Sequence, residues 1–472
     1  MLLVACLALA TLSLLLPWAL AFDPWAWVTW GRDVTRLELN TAGGGAWKPL
    51  PVVVTTPLAL TGAAAPALWL VVARTGGLLA LAGAAHVAYR LAVAARAGST
   101  GGGTIAAVAA ATAIALSTWW LFNTALGNSE GLLVAAALWA VAAHVAGRWR
   151  AALALGVAAA LLRPEAWPFL GLYALWLWRT QRASLGSLAL ALAPVPLLWF
   201  GPGLLGAGGA LGASDAARGT ASPQSAVHAD VPALQVLVDV AELVTVPVLL
   251  AAIAGVALGG REVRALGAGA LAWVALVAVM TQAGYAGNPR YNVVPAALAC
   301  VLAGIGVAAL AARLAGREPG RRASAGILLA AALAVATLPL TASDLADQID
   351  ELGARADRRE DLDALVDRIG ADRLASGCPP VRTNQPMKAM VGWTVDVPME
   401  HLADPVPQRA TVFASPPGYD RGPVLPPVPS GRPSEREGEW TVTISCPPTV
   451  TDQAERAMPR VSAARNLGAP SS

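Results

Sequence analysis

The sequence predicts an all-α polytopic membrane protein of about eleven transmembrane helices, followed by a small C-terminal α/β domain in water. Three observations carry that expectation. Of 472 residues, 56% are hydrophobic and 13% charged, with a mean hydropathy of +0.57; soluble domains carry about 25% charge to cover their surface. Apolar runs recur along the first 341 residues with short polar breaks between them. Seventeen Trp against five Tyr and five Phe fit a chain that anchors indoles at membrane interfaces. The net charge of +3 is small and scattered, which speaks against a nucleic-acid partner.

The apolar runs sit near residues 2–22, 65–88, 104–122, 131–147, 151–162, 166–178, 185–200, 236–258, 266–283, 291–312 and 324–341. The stretch Met1 to Phe22 imitates a signal peptide through Ala19-Leu20-Ala21, but no basic residue precedes it. Its run is as long as a span, so it is read as the first membrane helix. The fifth and sixth runs are too short to cross about 30 Å alone. They read as a pair meeting at Arg163-Pro164-Glu165, part-way into the outer leaflet.

Basic residues set the orientation. Arg90 and Arg96, Arg148 and Arg150, Arg179 and Arg182, Arg261 and Arg264, then Arg313, Arg317, Arg321 and Arg322 fall in alternate loops. The positive-inside rule makes those loops and the N-terminus cytoplasmic, in a multi-pass plasma-membrane protein. The loops 23–57 and 201–235, and everything after about 342, then lie outside. The acids of the membrane portion (Asp23, Asp33, Glu38, Glu130, Glu165, Asp215, Asp230, Asp239 and Glu242) fall on that outer side, with Glu262 the exception. Ionisable groups near lipid are costly and mark a site by default.

The chain divides into a membrane domain, 1–342, and an extracytoplasmic domain, 343–472. In the latter, Leu345, Ile349, Leu352, Leu362, Leu365 and Ile369 recur at helical spacing among charges. Short strand-like runs follow at Ala410–Ala414 and Trp440–Cys446, and the tail from Pro447 reads as disordered. Cys6 and Cys300 lie in apolar runs as small hydrophobes. Cys378 and Cys446 lie in the polar region, where an oxidising exterior favours a disulfide between them.

The first outer loop is the richest in chemistry: Phe22-Asp23-Pro24-Trp25, then Gly31-Arg32, then Gly43-Gly44-Gly45-Ala46-Trp47-Lys48-Pro49-Leu50-Pro51. Lys48 is one of two lysines, the other being Lys388, in a chain that otherwise uses Arg. A compact ammonium suits a phosphate oxygen, although a snorkelling interface lysine would look the same. An Asp-Pro pair also starts helices well, so Asp23 has a structural reading beside a chemical one.

These elements together resemble the GT-C superfamily of membrane glycosyltransferases, most closely its protein-mannosyltransferase/aminoarabinose-transferase branch. The resemblance rests on Asp23 after the first helix, Lys48-Pro49-Leu50-Pro51 in the same loop, and Ala73-Arg74 near the start of a long second helix. It continues in Asn128-Ser129-Glu130 and in Asn288-Pro289-Arg290-Tyr291, and spans roughly residues 1–312. The family's acid is followed by Glu where this chain has Pro24, and its Lys-Pro-Pro-Leu is here Lys-Pro-Leu-Pro.

The resemblance implies a sugar donor on a polyprenyl phosphate and an extracytoplasmic glycan, lipid or protein as acceptor. Lys48, Arg74, Arg163 and Arg290, with Tyr291, are then candidates to hold the donor phosphate. Asp23 and Glu130 are the candidate catalytic acids, and Asp33 and Glu165 their supporting neighbours. Glu130 also reads as a helix cap, and Arg163 with Glu165 as a bracing ion pair. Direct attack would invert the anomeric centre. No ligand spacing calls for a metal site: His228 and Asp230 share an outer loop, while His86, His144 and His401 lie elsewhere. A divalent cation stays open as a cofactor. The rival classes are a transporter or flippase of lipid-linked sugars and a non-catalytic scaffold. A coupled transporter should show repeated halves and midplane charges, and neither is evident.

Overall fold

The structure, a computed structural model, describes residues 1–41, 43–94, 100–205, 209, 225–316, 318–376, 378–402, 410–414 and 434–444. Each of the eleven apolar runs contains a helix. Among the described residues, five helices are long and apolar enough to cross a bilayer alone. Seven spans result when each of two bent pairs counts as one. The bends, 66° between Gly101–Ala115 and Thr118–Ala125 and 95° between Pro232–Val244 and Val246–Leu258, interrupt runs that the sequence presents as continuous.

Small residues let the helices meet closely. A Cβ on Gly255 would stand 2.1 Å from the Leu302 carbonyl oxygen, and one on Gly306 would stand 2.0 Å from that of Ala251. Helices Val246–Leu258 and Val293–Leu314 therefore touch backbone to backbone, where van der Waals contact substitutes for a hydrophobic drive that lipid does not supply. The core of the bundle is correspondingly rich in Ala, Val and Leu, with Trp119 and Trp273 the large exceptions.

The first apolar run corrects one expectation. It stays helical only over Leu2–Leu12, tightens into a 3₁₀ turn at Ser13–Leu15, and leaves Leu16 extended with ψ 154°. The cause is Pro17, whose ring disfavours helical backbone in the residue before it. A separate helix then starts at Phe22. The outer loop is likewise not irregular, because it folds into helices Phe22–Thr35 and Pro49–Ala59.

The last span also differs from its reading. It continues past residue 342 as one helix, Pro319–Ile369, so the change in composition there is not a break in the chain path. Its apolar stripe is buried from Ala356 onward, at Leu362, Leu365, Val366 and Ile369, whereas Ile349 remains 59% exposed. Beyond it lies a four-stranded sheet in the order β1-β2-β4-β3, with β1 Val381–Thr383, β2 Thr411–Ala414, β3 Ser434–Glu437 and β4 Trp440–Ile444. β1 runs parallel to β2, while β2–β4 and β4–β3 are antiparallel. The sheet, the helix end and helix Lys388–Thr394 share one core with Trp25, Trp27, Trp30, Trp47 and Trp69. The C-terminal region is thus packed onto the first loop rather than tethered beside it.

Cys378 is disulfide-bonded, and Cys6 and Cys300 are free and buried. Cys446, the partner named from the sequence, and the tail from Pro447 lie outside the described residues.

Candidate active site

Helix Phe22–Thr35 presents Asp23 in its first turn, behind an N-cap at Ala21 that makes no side-chain capping bond. Asp23 is not the N-cap either; its carboxylate is turned away from the helix end towards other segments. Trp27 Nε1 donates to the Ala46 carbonyl at 3.1 Å, and Trp30 Nε1 donates to that of Asn40 at 2.9 Å. These two indoles hold the glycine-rich segment against the helix. Its glycines are needed for that approach, since a Cβ on Gly44 would meet the Trp30 ring at 2.0 Å and one on Gly45 would meet Asp23 Oδ1 at 2.5 Å. The segment delivers Lys48 to the start of helix Pro49–Ala59, where Pro49 at the first position needs no amide partner.

Around Asp23 and Lys48 the fold gathers residues from three further places in the chain. Arg290, in the 3₁₀ turn Pro289–Asn292, pairs with Asp23 Oδ2 at 3.0 Å. The Ala46 amide donates to Asp23 Oδ1 at 3.4 Å. Lys48 Nζ donates to Ser129 Oγ at 2.7 Å and reaches Glu130 Oε1 at 3.4 Å. Arg163 Nη2 donates to the same Glu130 oxygen at 2.8 Å, and its Nη1 lies 3.7 Å from Glu165 Oε1. The Arg163 guanidinium stacks over the Tyr291 ring at 4.4 Å, and Lys48 Nζ stands 5.0 Å above the face of Trp27.

The cluster therefore holds three cations and three acids, all buried apart from the part-exposed Arg290. Each sits at a helix end or break, where the chain can point a side chain inward. Arg163 and Glu165 flank Pro164, which ends helix Trp149–Leu162 and opens the 3₁₀ turn Pro164–Ala166. Glu130 opens helix Glu130–Val145. Burial of charges at this density is costly unless the geometry compensates. Among the described residues, compensation is incomplete: Glu130 Oε2, Glu165 Oε2 and Arg163 Nε are buried without a hydrogen-bond partner. Such open valences are what a bound polar group would fill. Burial pushes the Lys48 ammonium down to about 8, against the opposing pull of Glu130.

Seven of the residues singled out from the sequence thus meet here: Asp23, Lys48, Glu130, Arg163, Glu165, Arg290 and Tyr291. Arg74 does not. Its guanidinium is spent on the Ser13 carbonyl at 3.0 Å, the Ser13 hydroxyl at 2.7 Å and the Ala125 carbonyl at 3.0 Å, where it ties the end of the first helix to the bundle. Asp33 lies at the other end of helix Phe22–Thr35, 3.3 Å from Arg32. Ser129 and Trp27, which hold Lys48, were not singled out; a hydroxyl and an indole next to charged motif residues carry no signal of their own. His228 and Asp230 do not join the cluster, and among the described residues no three His, Cys, Asp or Glu side chains come together as a metal would require.

A cavity of about 900 Å³ opens between the helices beside this cluster. Ala166, Phe169, Trp273 and Val294 line one part of it. Ala166 follows Glu165 directly, and Trp273 Nε1 donates to the Tyr291 carbonyl at 2.9 Å. The remaining walls are mostly aliphatic and aromatic, with His144, Tyr173, Trp176 and Glu262 at another part.

No protein-family model matches the sequence, and no curated protein matches it. Solved structures do match the fold. The crystal structure of ArnT from Cupriavidus metallidurans in the apo state superposes with a TM-score of 0.55 at 16% identity, covering 94% of this chain and 97% of that one. The structure of the same protein bound to undecaprenyl phosphate gives a TM-score of 0.53 at 14% identity, with the same coverage. The chain therefore shares the fold of these ArnT structures across its membrane and C-terminal parts.

Proposed function

We propose that this protein is a GT-C glycosyltransferase that moves a sugar from a polyprenyl-phosphate donor to an acceptor hydroxyl outside the cytoplasm. The observation that carries the reading is the convergence of Lys48, Arg163 and Arg290 on Asp23 and Glu130 in one buried cluster beside an apolar cavity. A cluster with three cations beside a mostly apolar cavity suits an amphiphile with a phosphate head. A protein of the same fold has been crystallised with undecaprenyl phosphate, which supports the donor class.

In this reading the acceptor oxygen attacks the anomeric carbon while the bond from that carbon to the phosphate oxygen breaks. The electron pair leaves with the lipid phosphate, and Lys48, Arg163 and Arg290 neutralise the developing charge. Asp23 takes the proton of the attacking hydroxyl. One displacement inverts the anomeric centre. The Arg290–Asp23 pair adds a control: at 3.0 Å the guanidinium occupies a carboxylate oxygen that would otherwise face the acceptor hydroxyl. A donor phosphate competes for that guanidinium, so binding the donor frees the base. Glu130 keeps Lys48 and Arg163 in register, and the sugar, acceptor and linkage are set by contacts outside this cluster.

The test is direct. Purified protein in lipid nanodiscs, given a panel of undecaprenyl-phosphate sugars and a crude envelope-glycan acceptor, should release undecaprenyl phosphate in step with sugar transfer. Movement of intact donor between leaflets of a proteoliposome, with no sugar release from any donor, would make the protein a flippase instead.

A further inference from the structure

The helix Phe22–Thr35, which carries Asp23 in its first turn, is gripped along its length by the C-terminal domain. At its far end Arg32, 6% exposed, sends its guanidinium into that domain. Its Nη1 pairs with Asp396 Oδ1 at 2.8 Å and donates to the Gly392 carbonyl at 3.2 Å, while its Nη2 donates to the Val397 carbonyl at 3.5 Å. The same guanidinium lies over the Trp393 ring at 5.5 Å. Arg36 adds a two-point pair to Asp396, at 2.8 and 3.0 Å. Half-way along, Thr29 Oγ1 donates to the Ala389 carbonyl at 3.4 Å. Before the helix starts, Arg359 Nε donates to the Trp18 carbonyl at 3.1 Å and stacks on the Trp18 ring at 4.1 Å.

A second line of contact reaches the carboxylate from behind. The 3₁₀ turn Met399–His401 stands against Gly43, where a Cβ would come within 3.2 Å of the Glu400 Cα. Gly43 has φ +79°, a conformation that glycine adopts without strain. The segment it starts runs on to Gly45 and to the Ala46 amide, both against the Asp23 carboxylate. Both supports of Asp23, its own helix and the glycine segment behind it, therefore rest on residues 389–401.

We propose that the C-terminal domain is a working part of the active site, which holds Asp23 in its reactive position, and that Arg32 is the positioning residue through which that grip is exerted. A carboxylate displaced by about 1 Å loses its aim at the acceptor proton. The sequence separates Arg32 from its partners by about 360 residues, so neither segment read alone reveals the contact. The proposal rests on the assignment of Asp23 as the base, and the experiment is arranged so that the two can fail separately.

Hydrogen–deuterium exchange would be measured on the full-length protein in nanodiscs, alongside steady-state transfer, for the wild type, Arg32→Ala, Arg32→Lys, Asp396→Ala and the charge-swapped pair Arg32→Asp/Asp396→Arg. Arg32→Ala should deprotect the amides of 44–47 and 25–27 at least tenfold. It should lower kcat roughly 30-fold and leave the KM for donor within about twofold. Arg32→Lys and the charge swap should each restore part of both losses. Unchanged exchange at 44–47 and 25–27 in Arg32→Ala would overturn the brace whether or not any sugar is transferred. Lost protection with full turnover would overturn the positioning role, as would a loss expressed wholly in donor KM. If the wild type transfers nothing from any donor, the assignment of Asp23 falls, and the exchange measurement still decides whether the C-terminal domain holds that helix.

Discussion

Replacing Asp23 by Asn separates the chemical from the structural account of this residue, because the two predict opposite signs for different quantities. Asn keeps the shape, and its Oδ1 can still accept from the Ala46 amide as Asp23 Oδ1 does at 3.4 Å. What it loses is the charge that pairs with Arg290 at 3.0 Å and the ability to take a proton. The Arg290 side chain is 32% exposed and that of Asp23 8%, so loss of this part-buried pair should cost roughly 1–3 kcal/mol of stability. Thermal unfolding should therefore move by no more than a few degrees. Turnover should fall about 100-fold or more, the ordinary scale for a positioned base and equivalent to about 2.7 kcal/mol of transition-state free energy. Donor binding should go the other way. With no carboxylate to compete for its guanidinium, Arg290 is released to the phosphate, and the Kd for undecaprenyl phosphate should tighten about three- to tenfold. The assay pairs single-turnover transfer with a binding isotherm for undecaprenyl phosphate on the same preparation. A well-folded Asp23→Asn protein that transfers sugar at near wild-type rate would refute the reasoning. Weakened donor binding with slow transfer would show that Asp23 supports the site without acting as the base that Arg290 restrains.

Three further outcomes follow from the same geometry. Lys48→Ala should weaken donor binding by roughly 1.5–3 kcal/mol, the scale of a lost charge-assisted hydrogen bond, and Lys48→Arg should recover little of it; unchanged affinity would return Lys48 to an interface role. In the wild type, donor affinity should decline as the pH rises through about 8, where the buried ammonium gives up its proton. Ser129→Ala removes the 2.7 Å acceptor that favours the charged amine, so that alkaline decline should begin at lower pH, and coincident pH profiles would show that Ser129 does not set the state of Lys48. Burial pushes the Asp33 carboxyl up to about 6, overriding the neighbouring Arg32. A raised folded value means that the protonated acid favours folding below about 4 and that this contribution disappears as pH rises through about 6, up to about 3 kcal/mol from a shift of roughly two units. Asp33→Asn should flatten the pH dependence of thermal stability between about 4 and 6, and an unaltered slope there would show that Asp33 titrates normally.

How much of this could be read from the chain depends on the range of the interaction that fixes each feature. The spans are written in composition, since burying apolar length in lipid is decided residue by residue, and every apolar run does hold a helix. Their bends are written there only in part: the 95° turn at Thr245 lies inside the run 236–258, where Pro247 opens the second helix but does not by itself fix the angle. The strands divide in the same way. β2 and β4 carry Val412, Phe413, Trp440 and Val442, buried apolar residues that stand out in a polar region. β1 is three residues long, and β3 reads Ser434-Glu435-Arg436-Glu437, an exposed edge with no apolar alternation.

The charged cluster around Asp23 and Lys48 was legible to the extent that its charges were expensive. Asp23, Lys48, Glu130, Arg163, Glu165 and Arg290 stand out because a charged side chain beside lipid needs a reason. Arg74 satisfied the same criterion and has a different reason: the Ser13 carbonyl and hydroxyl, left open where Pro17 ends the first helix early, and the Ala125 carbonyl at the end of helix Thr118–Ala125. Cost alone therefore locates a buried charge but does not say which partner compensates it. The partner is a property of the fold, and the same limit hid Arg32, which lies in a loop already marked as chemical yet spends its charge on the C-terminal domain. That asymmetry has a consequence for the site itself. The cations held only by side chains, with unfilled hydrogen-bonding atoms among them, are the ones a phosphate can recruit, whereas Arg74 and Arg32 are already committed to backbone carbonyls. Substituting Arg163 or Arg290 should then be felt first in donor affinity, and substituting Arg74 or Arg32 first in the stability or placement of the segments they join.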